Sequence, residues 1–123
     1  MAKLEAAEAL LAEAGAAERE VSALRARQGS PSAPWSDDPG SAFVRLGREA
    51  SRLQSEAMRL RRLALKALDG AEATTGALAE LRAAMGEAER ARETARKATA
   101  RVEDVTRYVS AVARLVSKLG SIL

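Results

Sequence analysis

The chain runs to 123 residues with a net charge of +3, is 47% apolar and 30% charged, and holds neither cysteine nor histidine. That excludes a disulfide framework, thiolate or imidazole metal sites and histidine-based acid–base chemistry. Alanine supplies 29 residues and the aromatic side chains are three, Trp35, Phe43 and Tyr108, so a core must come from close approach of long helices, the composition of coiled coils and bundles.

A first helix is predicted over residues 2–28. Ala7, Leu10, Ala14, Ala17, Val21 and Leu24 alternate by three and four, and glutamates crowd the early turns (Glu5, Glu8, Glu13, Glu18, Glu20). Arg25 and Arg27 suit the negative end of the helix dipole, and Gly29 offers the left-handed residue usual just past a helix end. Residues 29–40 hold all three prolines, with serine and glycine between them, and read as a linker. Asp38 followed by Pro39 predicts an N-cap and a first helical residue, with Ser36 as a competing cap. Trp35, just ahead of them, is placed to fold back on the helix start as a staple or to anchor a partner.

The second helix is predicted over residues 39–68, with a seam of Phe43, Leu46, Ala50, Leu53, Ala57, Leu60, Ala64 and Ala67. Met58, Leu63, Leu65 and Leu68 widen its apolar face, which predicts two neighbours there. On the other side Arg45, Arg48, Arg52, Arg59, Arg62 and Lys66 form a basic face, with Arg61 at its edge and Glu49 and Glu56 as the offsetting acids.

Residues 69–76 contain Gly70 and Gly76 around Thr74 and Thr75, and the seam loses register near Ala71. A turn there returns the chain antiparallel. The rival reading is one continuous helix from Pro39 onward.

The longest seam follows: Leu81, Ala84, Ala88, Ala91, Ala95, Ala98, Val102, Val105, Val109, Val112, Val116, Leu119 and Leu123. Their unbroken three–four alternation predicts one third helix. At 1.5 Å per residue the three helices measure ~40, ~45 and ~68 Å, so the third overhangs the others by ~23 Å. The expected fold is therefore an all-α, three-helix up-down-up bundle or coiled-coil hairpin with a protruding C-terminal helix, divided as residues 1–28, 29–40 and 41–123. The overhang makes Val102, Val105, Tyr108, Val109, Val112, Leu115, Val116 and Leu119 the expected partner interface.

Neither GxxxxGK nor GxGxxG occurs, and no Glu-x-x-His pair is present for a di-metal bundle. No catalytic residue, metal or cofactor is therefore expected. The expected role is a non-enzymatic interaction module that assembles with itself, as a homo-oligomer, or with a helical protein partner as a scaffold subunit. From another class comes a peripheral binder of anionic membrane or nucleic acid, using the basic face and a tail carrying Arg107, Arg114 and Lys118. A small-molecule substrate is not expected. The first thirty residues lack the apolar core of a signal peptide and no run of eighteen apolar residues occurs, so the expected location is cytoplasmic, with the nucleus open.

Overall fold

A computed structural model describes the chain except Met1, Leu4, Glu5 and Ala71, and no side chain before Ala6 is described. Two sequence expectations, the acidic Glu5 and the register position Ala71, thus lie outside the described residues. The protein is an all-α bundle, with four helices among the described residues: α1 (Ala7–Arg27), α2 (Ala42–Leu68), α3 (Thr75–Arg96) and α4 (Val102–Ile122). A two-residue antiparallel pair, β1 (Ala2–Lys3) with β2 (Glu72–Ala73), ties the approach to α1 to the approach to α3.

Local chemistry sets most of the boundaries. α1 ends where Gly29 takes φ +86°, and Gly29 N–H then donates to Ala33 O at 2.8 Å, so the linker begins as a closed turn with Ala33 fully buried. α2 starts three residues later than Asp38–Pro39 predicts. Asp38 Oδ1 accepts from Gly40 N–H at 2.9 Å, which spends that carboxylate on a turn, and Ser41 Oγ becomes the cap by accepting from Val44 N–H at 3.2 Å. Trp35 tilts against Phe43 with ring centroids 6.4 Å apart yet is 73% exposed, so it covers the start of α2 on one side alone. Between α2 and α3 the chain turns: Gly70 adopts φ +99°, and Thr74 Oγ1 accepts from Ala77 N–H at 3.1 Å to cap α3, so Thr75 and Gly76 of the expected turn belong to the helix.

The long third helix does not exist. The chain leaves helical geometry at Lys97, turns through an Ala100 N–H to Lys97 O bond of 2.9 Å, and restarts at Val102. Asp104 Oδ2 accepts from Arg101 N–H at 2.8 Å, and Glu103 and Asp104 place negative charge in the first turn, where the helix dipole favours it. The break gives up a few backbone hydrogen bonds, each worth about 1 kcal/mol net. It allows the α4 seam to be buried, at roughly 1.5 kcal/mol per valine-sized side chain. Burial wins.

Ion pairs show how the helices lie. Glu18–Arg61 (2.8 Å) joins antiparallel α1 and α2, and Glu80–Lys118 (3.3 Å) with Glu87–Arg114 (3.5 Å) joins antiparallel α3 and α4. The two hairpins then meet with α2 beside α4, where Arg45–Glu103 closes at 2.7 Å and Leu63 lies against Gly120. α1 and α3 complete the square more loosely. Gly47 leaves room for a side chain: a Cβ there would sit 2.5 Å from Gln28 Nε2, which crosses α2 to donate to Phe43 O at 3.1 Å, so a larger residue would displace Gln28.

Candidate functional site

The overhang falls with the long helix. Val105, Val109, Leu115 and Leu119 are fully buried in the chain's own core, as are Tyr108 and Val112 to within 1%, while Val102 is 7% exposed and Val116 is half-buried. α2 and α3 cover this face, so the surface expected to receive a partner is the bundle interior. The heptad could not reveal this. Both arms of a hairpin turn the same phase toward a shared core, so a five-residue break leaves the three–four alternation intact.

Half of the expected basic face is neutralised. Arg45 pairs with Glu103, Arg52 with Glu49 at 3.1 Å and Arg59 with Glu56 at 2.9 Å. Arg48, Arg62 and Lys66 are exposed and have no ion-pair partner among the described residues. Beside the last two runs an apolar stripe that stays in solvent: Met58, Leu65 and Leu68 are 56%, 51% and 47% exposed. Leu63 is half-buried against α4, so α2 has its two neighbours, but they do not take up the whole widened face.

Where α1 faces α3 the sequence reading missed a buried polar cluster. Glu13 lies with its carboxylate 2.7 Å from Arg92, the two side chains 6% and 17% exposed, and Glu20 reaches Arg96 at 3.3 Å. Burial pushes the Glu13 carboxyl up to about 7, opposed by the Arg92 guanidinium and reinforced by the neighbouring Glu89. Burial likewise raises Glu20, with Arg96 and Arg92 pulling it down. From α4 the Tyr108 hydroxyl sits beside Arg92 without meeting hydrogen-bond geometry, and burial holds its proton on well above the usual phenol range. The available signal was the heptad Glu13, Glu20, Arg27, which runs on the flank of the first seam and so points at a neighbouring helix.

Above this cluster α1 and α3 part to form a cleft of about 580 Å³. Arg19, Arg27, Arg92, Arg96 and Lys97 contribute to its wall, against Glu20 as the one carboxylate, and alanines with Leu24 and Ser32 line the rest. Arg27 Nη2 donates to Ala100 O at 2.5 Å. Among the described residues no cluster of acids could hold a metal ion, and no helix is long and apolar enough to cross a membrane. No protein-family model matches the sequence, and comparison with characterised proteins and with solved structures gives no match either.

Proposed function

We propose that the protein is a non-enzymatic helical interaction module that binds one acidic amphipathic helix of a partner protein along the outer face of α2. The supporting observation is the exposed stripe Met58, Leu65 and Leu68, bordered by Arg62 and Lys66 without carboxylate partners among the described residues. An amphipathic helix recognises such a groove through apolar anchors seven residues apart, with its flanking charges setting orientation. The spacing from Met58 to Leu65 suits that mode. A second copy of the chain suits it less well, because self-pairing would set Arg62 and Lys66 against their own counterparts. The interior of the bundle is the scaffold and this face is the contact surface.

The test is a titration with two synthetic helices that share leucines at heptad spacing and carry either glutamate or lysine elsewhere. The glutamate helix is expected to bind saturably, the lysine helix not, and Met58→Glu with Leu65→Glu to abolish binding without loss of helicity. A scattering mass above the 13.0 kDa of one chain, reset by the same double change, would instead make self-assembly the use of this face. Saturable binding to anionic vesicles or nucleic acid that survives the double change but fails with Arg48→Gln and Arg62→Gln would favour the peripheral-binder reading.

A further inference from the structure

We infer that the α1–α3 cleft is a binding site for a compact oligophosphate, either free or carried by a nucleotide. Its volume of about 580 Å³ falls in the range of small-molecule sites. The charge is one-sided, with five cationic side chains in the wall against a single carboxylate. Three of the five are held by the fold: Arg92 by Glu13, Arg96 by Glu20 and Arg27 by the Ala100 carbonyl. Arg19, on α1, and Lys97, just past the end of α3, have no ion-pair partner among the described residues, and both line the cleft.

Guanidinium groups present planar donor pairs that match phosphate oxygens, and a lysine adds a mobile point charge. Arginines held by the fold, with unpaired cations beside them, are therefore suited to a ligand with several phosphates along a short length. The alanine walls leave room beside that charge for a flat apolar body.

The arrangement costs the bundle close packing on this face. Ala95, which continues the buried phase of α3, is half-buried and Ala98 is exposed, and both line the cleft. The cleft occupies the space that larger side chains at these positions would fill.

Calorimetric titration of the intact chain at low salt with tripolyphosphate, with adenosine triphosphate and with citrate tests the inference. Saturable 1:1 binding of the two phosphate ligands, with citrate at least tenfold weaker, is expected. Equal affinity for tripolyphosphate and the nucleotide would mean that the phosphates alone are recognised, and tighter nucleotide binding would mean that the alanine walls hold the base. Arg19→Gln with Lys97→Gln should weaken binding at least tenfold, while Arg48→Gln with Arg62→Gln on the far side of the molecule should leave it within twofold. Ala23→Leu, an exposed position in the cleft wall, should block binding by volume without altering charge. The absence of saturable binding, or an equal loss from both pairs of charge changes, would overturn the site and reduce the effect to overall positive charge.

Discussion

The two faces of the bundle are built from different materials. Among the described residues, the large side chains that are fully buried come almost wholly from α2 and α4: Leu46, Leu53, Leu60, Val105, Tyr108, Val109, Val112, Leu115 and Leu119. α1 and α3 add Leu10 and Leu81 to that set, and otherwise meet through alanines, the Glu13–Arg92 and Glu20–Arg96 pairs and an open cleft. The contrast teaches that stability and polar chemistry are assigned to opposite sides of one small core. Apolar area is spent where α2 meets α4, and charge is tolerated where α1 meets α3 because partners are supplied in place.

The comparison is broken most severely from its apolar side. Val109→Asp with Val112→Asp puts two carboxylates where no partner exists, and each costs several kcal/mol, of the order of the whole stability of a small domain. Circular dichroism should show loss of helix throughout the chain and not in α4 alone. Ala23→Leu, at an exposed position on the other side, should leave the melting curve nearly unchanged.

Next in size is the buried pair. Arg92→Met leaves the Glu13 carboxyl buried without its cationic partner, and the expected loss is about 3 kcal/mol in denaturant unfolding. Adding Glu13→Gln should restore more than half of it. If the single and double changes cost the same, the pair is not coupled and the polar side is held by alanine packing alone.

A smaller effect follows from pH. The Glu13 carboxyl titrates at about 7 in the fold against a reference of 4.5, so the folded state binds the extra proton between those values. Stability from this group is full below about 4.5 and is lost as pH rises through about 7. Arg92 and Glu89 from α3 and Tyr108 from α4 face it, and among them Arg92 opposes the rise. The protein should therefore be more stable at pH 5.5 than at pH 8, by on the order of 1–3 kcal/mol. Glu13→Gln should flatten that slope, and an unchanged slope would assign it to another group.

The smallest expected change is Gly47→Ala. Alanine improves helix propensity by about 1 kcal/mol, while the new Cβ displaces Gln28 from Phe43 O, a bond worth about the same. Net stability should stay within about 0.5 kcal/mol. Protease cleavage within residues 29–40 should nevertheless quicken, because Gln28 is what fastens the start of the linker to α2.

The sequence by itself determined which residues face inward. The heptad phases of all the helical stretches, the glycine stop at Gly29 and the turn over residues 69–76 were all legible, because periodicity and local capping depend on near neighbours. Ser41 was within reach too, since the Asx turn that takes Asp38 out of the capping role is a local event.

Tertiary structure alone decided that residues 75–122 form two helices. No glycine or proline marks residues 97–101, and the hints were a threonine, the basic pair Arg96 and Lys97 ahead of it and the acidic pair Glu103 and Asp104 after it. A helix and a hairpin present the same seam to a core, and they differ in whether that core includes the other half of the chain. The answer lies in the apolar area gained when α4 folds against α2 and α3, a quantity that exists only once distant segments meet. The same meeting brought Glu13 to Arg92 and Tyr108, residues 79 and 16 positions apart along the chain from Arg92, so the flanking heptad of α1 could point to a neighbour but not name it.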